Sequence, residues 1–267
     1  MQIIGHRGAR GICAENTLAG IAAACALGVD GIEVDVRLTG DGVVILHHDS
    51  LLNPEMTRTP EGAWLTQPGP AIAETTAAVL ARYDVGRAAP GSALRRRFPC
   101  QRPEDGARIP QLAEILALRP RPALLIELKP VADPAALADA VAMLVCGERD
   151  VTLESFDWRA LRHLQRAEPR IPLAWLTEAG KARQAPERVA AEGGRTWCPS
   201  IRTLTHRLVH RAKKAGLHVI PWTVNAPSSM RRLLEWGADG LITDYPDRAR
   251  AVLAHAGLPL QSPIALT

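Results

Sequence analysis

The sequence predicts an α/β fold: a closed (β/α)8 barrel of the TIM type, with one short antiparallel hairpin strand and an insertion after it. Three observations lead there. Short apolar runs alternate with helical patterns along most of the chain, which is the pattern of a parallel sheet with helices outside it. The chain has 267 residues, the ordinary size of one eightfold barrel. Polar residues able to do chemistry stand where the apolar runs end, as in Ile3-Ile4-Gly5 followed by His6-Arg7, and barrel sites are built at the C-terminal ends of the strands.

Strands are expected over 2–5, 31–36, 43–47, 123–128, 151–155, 172–176, 196–199, 218–223 and 240–243, and helices over 16–27, 133–145, 158–167, 205–215, 228–236 and 247–256. In the first helix Leu18, Ile21, Ala22 and Cys25 share a face, Asn16 suits its N-cap, and Gly28 suits its end. Nine strand candidates are one more than the barrel needs. The third follows the second after only residues 37–42, too short for a helical crossover, and Asp41-Gly42 is a hairpin-turn dipeptide. The third run is therefore read as an antiparallel excursion, and a turn centred on Asp41-Gly42 sets Asp35 opposite His48.

Residues 49–110 contain Pro54, Pro60, Pro68, Pro70, Pro90, Pro99, Pro103 and Pro110, and only a weak helical pattern near 72–82. A stretch this long without regular structure inside a compact domain is usually functional. It reads as an insertion over the mouth of a single domain spanning 1–267.

Hydrophobic residues make up 47% and charged residues 22% of the chain, which marks a globular protein. Aromatic content of 4% disfavours a nucleic-acid surface built on stacking. The net charge of +4 is spread along the chain. Its densest run, Arg95-Arg96-Arg97, suits a solvated loop or the attraction of an anionic substrate. Cys13, Cys25, Cys100, Cys146 and Cys198 are odd in number and widely spaced, which argues against a disulfide framework or zinc site and fits a reducing, cytoplasmic compartment. No signal-peptide pattern and no membrane-length apolar run is read in the sequence. A homo-oligomer is left open.

The candidate site comes from the strand ends. Strand one ends His6-Arg7, strand two carries Glu33-Val34-Asp35, the hairpin strand ends His47-His48-Asp49, and the next barrel strand reads Ile126-Glu127-Leu128-Lys129. Glu33 and Asp35 point to one face, with Cα atoms roughly 6.5–7 Å apart. Glu127 interrupts an otherwise apolar buried strand. Each residue alone has an ordinary explanation: a salt-bridged strand carboxylate, a same-face Glu127–Lys129 pair, a packed His6. Together, three carboxylates converging in a barrel mouth repel one another unless a cation lies between them, and oxygen ligands select Mg²⁺ or Ca²⁺. His47 is expected to point away from His48.

These residues stand within a longer series: His6-Arg7-Gly8, Ala14-Glu15-Asn16-Thr17, Glu33-Val34-Asp35-Val36, Leu38-Thr39-Gly40-Asp41-Gly42, His48-Asp49, Ile109-Pro110-Gln111-Leu112-Ala113-Glu114, Ile126-Glu127-Leu128-Lys129, Ser155-Phe156, Trp222-Thr223-Val224-Asn225 and Thr243-Asp244-Tyr245-Pro246. In order and spacing the series resembles the glycerophosphodiester phosphodiesterase family over nearly the whole chain. Ala14 stands where the family pattern has proline, Thr57-Arg58-Thr59 is a displaced form of Arg-Thr-Thr, and the insertion matches poorly.

The resemblance implies hydrolysis of glycerophosphodiesters such as glycerophosphocholine to sn-glycerol 3-phosphate and an alcohol. A diester anion needs its charge offset, its nucleophile deprotonated and its leaving alkoxide protonated. Glu33, Asp35 and Glu127 are then the metal ligands, and Arg7 and Lys129 the groups that meet the phosphate. His6 and His48 are the general acid and base in either order, and Trp222 is an apolar wall or barrel packing. By the same resemblance the glycerol 2-hydroxyl is the first nucleophile, giving a cyclic phosphate that water opens. Asn16 either caps the first helix or donates a hydrogen bond into the site, Asp244 either anchors a site histidine or ends the last strand, and Ser155 lines the mouth. Two rivals are a lysophospholipase D, with an acyl groove supplied by 63–65 and 77–80, and a non-catalytic barrel binding phosphorylated ligands. The second is disfavoured because every proposed chemical group is present.

Overall fold

In the computed structural model, which describes residues 1–266, the strands are β1 (Gln2–Gly5), β2 (Gly31–Leu38), β3 (Val44–Leu46), β4 (Ala123–Leu128), β5 (Val151–Ser155), β6 (Leu173–Thr177), β7 (Thr196–Pro199), β8 (His218–Val219) and β9 (Gly240–Thr243). They pair in the order β8-β7-β6-β5-β4-β2-β1-β9, with β3 beside β2. Every pair on that path is parallel, as the helices between them require. β8 is shorter than the expected 218–223 because Pro221 ends regular pairing. The barrel still closes: Asp239 N donates to Val219 O at 3.0 Å, Ile242 N to Pro221 O at 2.9 Å, and Val224 N to Ile242 O at 2.9 Å.

The alternation of side chains divides the core in two. Ile3, Ile32, Val34 and Val36 face out and pack under the helices with Ile21, Leu137, Val141 and Leu161. Ile4, Leu125, Leu176, Cys198 and Ile242 face in and fill the barrel floor. Each fully buried branched side chain contributes about 1.5–3 kcal/mol. The residues that break this alternation, Glu33, Asp35 and Glu127, face the same interior.

The hairpin is antiparallel as expected, but its register differs by one. Val36 pairs with Leu46, Arg37 with Ile45 and Leu38 with Val44, so Asp35 meets His47, whose N–H donates to Asp35 O at 3.1 Å. The cause is a three-residue loop, not the two-residue loop expected. Thr39 N donates to Val43 O, Gly42 N to Thr39 O, and Val43 N to the Thr39 hydroxyl. Gly42 takes φ +79°, the left-handed position that three-residue hairpins reserve for glycine.

The first helix is Leu18–Ala26, and its N-cap is Thr17, whose hydroxyl accepts from Gly20 N at 3.0 Å. Asn16 is therefore not the cap; it sits at φ +52° with its amide turned inward. Gly8 lies against this helix at φ +87°, where a Cβ would come within 2.6 Å of the Gly20 backbone, so no other residue fits there unstrained. Two short helices, Leu112–Ala117 and Ala185–Ala191, were not expected.

Residues 49–110 build a cluster of their own, with Leu52, Met56, Ile72, Leu80, Leu94 and Phe98 packed on Ile45 of β3. The weak helical pattern near 72–82 becomes a 3₁₀ turn, Ile72–Glu74, and one helical turn, Ala77–Leu80. The arginine run is not a loop: it ends a short helix, Ala93–Arg97, capped by Ser92.

Candidate active site

His6 continues β1 by donating its N–H to Thr243 O at 2.8 Å. Its Nδ1 lies 2.6 Å from Asp244 Oδ1. Asp244 is completely buried and held in turn by Asn225, whose Nδ2 donates to Oδ2 at 2.6 Å and whose Oδ1 accepts from Asp244 N at 3.0 Å. Asp244 thus anchors the histidine. Burial opposes its charge, yet His6, Arg10 and the Asn225 hydrogen bond hold its carboxyl well below the usual range. Burial also lowers the His6 pKa, with Asp244 restoring part of it. The carboxylate fixes the ring proton on Nδ1 and leaves Nε2 as the basic atom. That atom lies 3.8 Å from Glu33 Oε2.

Strand register assembles the carboxylates. Asp35 pairs with Glu127, and Glu127 with Glu154, so these three form one row across β2, β4 and β5, with Glu33 one layer below. Oxygens of Glu33, Asp35 and Glu127 lie within 4.8 Å of one another. Glu33 Oε2 accepts from Arg7 N at 2.9 Å, while its Oε1 is buried without a hydrogen-bond partner. Asp35 Oδ2 accepts from Asn16 Nδ2 at 2.8 Å and faces Arg7 Nε at 2.9 Å. Lys129 Nζ lies 2.6 Å from Glu127 Oε1 and 3.4 Å from Asp35 Oδ1.

The charges do not balance. Burial, then Asp35, Glu154 and Glu127, push the Glu33 carboxyl well above its ordinary value. Burial and Asp35 push Glu127 up to about 7. Asp35 goes the other way: against its burial, Arg7 and Lys129 hold it well below the usual range. A dense set of oxygen donors, one of them without any partner and two with their carboxyl pKa pushed up by burial and by neighbouring carboxylates, fits a hard divalent cation.

Arg7 is buried, and its guanidinium lies 2.5 Å from Glu15 Oε1 as well as beside Asp35; Glu15 also pairs with Arg10. Arg7 therefore props the carboxylates as well as edging the site. After β3 ends at Leu46 the chain leaves the ladder, which brings His48 to the site despite the shifted register. His48 Nδ1 lies 2.7 Å from Asp49 Oδ1. His47 is buried on the other side, with Nε2 3.4 Å from Leu51 O.

A cavity of 420 Å³ opens above the row, edged by His6, His48, Glu33, Glu127, Lys129 and Trp222, with Arg7 beside them. Asp35 lies behind this wall, fully buried. Trp222 stands edge-on to Phe156, ring centroids 5.2 Å apart, and its Nε1 donates to Cys198 O at 3.0 Å. Ser155 does not line the mouth: its hydroxyl donates to Leu128 O at 2.7 Å in the buried strand layer.

The sequence profile of the glycerophosphoryl diester phosphodiesterase family matches residues 6–248. The chain belongs to this family. It is 30% identical to a glycerophosphodiester phosphodiesterase of Bacillus subtilis, over 91% of this chain and 83% of that one. A solved structure of a candidate glycerophosphoryl diester phosphodiesterase from Silicibacter pomeroyi is 37% identical, covers 98% of this chain and 95% of that chain, and superposes with a TM-score of 0.92. An Oleispira antarctica phosphodiesterase, solved with the product sn-glycerol 3-phosphate, shares the fold at 24% identity, with a TM-score of 0.78 over 95% of this chain and 97% of that one.

Within this phosphodiesterase barrel, sequence reasoning passed over Glu154 alone; Asn16 and Arg97 take the site roles that were the second of their two readings. Glu154 lines the cavity on β5 and is pushed up to about 8 by burial and Glu127; it breaks an apolar strand just as Glu127 does. Asn16 grips Asp35 from both ends, since its Oδ1 accepts from Asp35 N at 3.2 Å. Arg97 reaches the cavity rim from the insertion, 3.9 Å from Asp244 Oδ2.

The raised carboxyls set a pH dependence for the metal-free protein. Between about pH 6.5 and 8 the native state keeps protons on Glu127 and Glu154 that the unfolded chain has lost, so stability falls as pH rises. Below about 6.5 the lowered pKa values of His6 and His47 work in the opposite direction. Melting curves in a chelator are expected to show Tm dropping from pH 6.5 to 8; a Tm that rises across that window contradicts the assignment.

Among the described residues, no helix is long and apolar enough to cross a membrane.

Proposed function

We propose that the protein hydrolyses glycerophosphodiesters, such as glycerophosphocholine, to sn-glycerol 3-phosphate and an alcohol, with one divalent cation, Mg²⁺ or Ca²⁺, held by Glu33, Asp35 and Glu127. The observation that carries this reading is the meeting of two histidines and the carboxylate cluster around one cavity. When bound, the cation offsets phosphate charge and that of the developing alkoxide. Lys129 and Arg97 bring further positive charge to the cavity edge, and Arg7 keeps Asp35 ionised.

His6 enters neutral, with its proton fixed toward Asp244, and takes the glycerol 2-hydroxyl proton through Nε2 as that oxygen bonds to phosphorus and the bond to the alcohol breaks, which gives a cyclic phosphate. His48, oriented by Asp49 across the mouth, delivers the proton to the leaving alcohol. The two roles then exchange when water opens the cyclic phosphate, by microscopic reversibility. Trp222 and Phe156 form the apolar side of the cavity, against which the alcohol group rests. The insertion at 49–110 sits over the mouth, a placement supported by Arg97 at the rim.

The lysophospholipase D reading loses support from the insertion. Ala77 and Leu80 line a separate cavity of 720 Å³ against the first helix, and Trp64 packs under Arg58, 5.5 Å from its ring centroid. None of residues 63–65 and 77–80 lines the candidate cavity. The rate on glycerophosphocholine is expected to exceed that on lysophosphatidylcholine by at least about tenfold under matched conditions; the reverse order overturns the substrate class.

A further inference from the structure

We propose that Arg97, brought to the site by the insertion, is a substrate-binding residue whose guanidinium takes the phosphate of the diester. The inference rests on the reading above, that the cavity takes glycerophosphodiesters, and adds the insertion to the groups that recognise them. The other arginines and the lysine along the cavity are committed to carboxylates. Arg7 is buried and held by Glu15 and Asp35. Lys129 is buried, with Nζ 2.6 Å from Glu127 Oε1 and 3.4 Å from Asp35 Oδ1. Arg10 pairs with Glu15 through Nε. Arg97 has no such close partner among the described residues. Its ion pairing is confined to Asp244 Oδ2 at 3.9 Å, and that oxygen already accepts from Asn225 Nδ2 at 2.6 Å. The Arg97 side chain is 58% exposed, so its N–H groups are open to an arriving ligand.

Within the run of three arginines, Arg95 donates to Gln101 O at 3.3 Å and Arg96 to Gly91 O, so both turn to the backbone of the insertion itself. Arg97 alone of the three lines the catalytic cavity. Its guanidinium stands 5.1 Å from the centroid of the Phe98 ring, and that of Arg10 stands 5.0 Å from the same centroid. Phe98 is buried and packs on Tyr245, with centroids 6.2 Å apart. A fixed ring therefore carries the guanidinium and reduces the freedom it loses on binding. Asp244 links Arg97 to the proposed base, since its other oxygen lies 2.6 Å from His6 Nδ1. Charge decides which part of the ligand Arg97 meets. In glycerophosphocholine the phosphate is the one anionic group. The glycerol end is neutral, and the choline end is cationic and repelled by a guanidinium. A planar guanidinium meets two phosphate oxygens at once, which a point charge such as that of Lys129 does not.

The test measures binding of sn-glycerol 3-phosphate to the Mg²⁺-loaded protein by calorimetry, together with KM and kcat on glycerophosphocholine. Arg97→Gln is expected to weaken glycerol 3-phosphate about tenfold, the low end for a hydrogen bond to a charged group because the side chain is more than half exposed. KM is expected to rise by a similar factor, with kcat within about threefold of the wild type. Arg97→Lys keeps the charge without the planar fork and is expected to recover only part of the loss. Arg96→Gln removes the same charge one residue away and is expected to change affinity and KM by less than about twofold, since screening leaves distant exposed charges little effect. Tm is expected to stay within about 2 °C of the wild type in all three. An unchanged affinity in Arg97→Gln overturns the inference and leaves the proposed function standing. Equal losses in Arg97→Gln and Arg96→Gln do the same, because they mark the general field of the insertion. So does a loss accompanied by a lowered Tm, which marks a structural role. A wild type that neither binds glycerol 3-phosphate nor cleaves glycerophosphocholine contradicts the proposed function itself, and this inference with it.

Discussion

Alanine in place of His6 is expected to lower kcat on glycerophosphocholine by about 10²–10⁴-fold, with the fold intact. The ring lines the cavity, and its removal leaves Asp244 still held by Asn225 on two sides. The barrel's packing is therefore unaffected, and what disappears is the one basic nitrogen that Asp244 orients. His48→Ala is expected to produce a loss of the same order. The double variant should fall far short of the product of the two, since acid and base act on one proton path. The pH profile carries a second signature. Burial lowers the His6 pKa, so the acid limb of kcat/KM is expected below about 6.5, the ordinary histidine value. Near-wild-type turnover in either single variant removes that residue from its assigned role.

The second large effect concerns the carboxylate cluster. Glu33→Ala is expected to abolish the response to metal, with activity down at least about 10³-fold and no stabilisation by Mg²⁺ or Ca²⁺. The wild type should gain Tm with either ion, because a ligand that binds only the native state stabilises it. In chelator the ranking reverses. Glu33 is buried with Oε1 unpartnered and its pKa pushed up by Asp35, Glu154 and Glu127, so its removal relieves repulsion, and the variant is expected to melt higher than the metal-free wild type. Melting curves with and without each ion separate the two states. A variant that still gains Tm with metal places the cation elsewhere.

The barrel was legible in the sequence because alternation between apolar strands and helical patterns survives any uncertainty about element ends. The candidate site was legible because charged residues that interrupt buried strands have few reasons to be there: Glu33, Asp35 and Glu127 stand out against Ile, Val and Leu. Glu154 obeys the same rule and could have been found by it. Other features depend on contacts that no local pattern contains. A two-residue and a three-residue hairpin loop both accommodate Asp41-Gly42, and the choice is made by the Thr39 side chain bonding Val43 N. Asn16 and Thr17 are both good cap residues; the helix uses Thr17, which frees Asn16 for Asp35. Arg97 comes to the rim because the insertion folds around its own apolar cluster, an arrangement with no period to read.

Cleavage of a glycerophosphodiester by the carboxylate cluster and the two histidines together is tested by the release of sn-glycerol 3-phosphate from glycerophosphocholine by the purified protein, followed with Mg²⁺, with Ca²⁺ and with EDTA. Release that needs one of the two ions and stops in EDTA is the predicted result. Absence of release with either ion, from protein that still binds sn-glycerol 3-phosphate, would contradict the account and mark the barrel as a ligand-binding one.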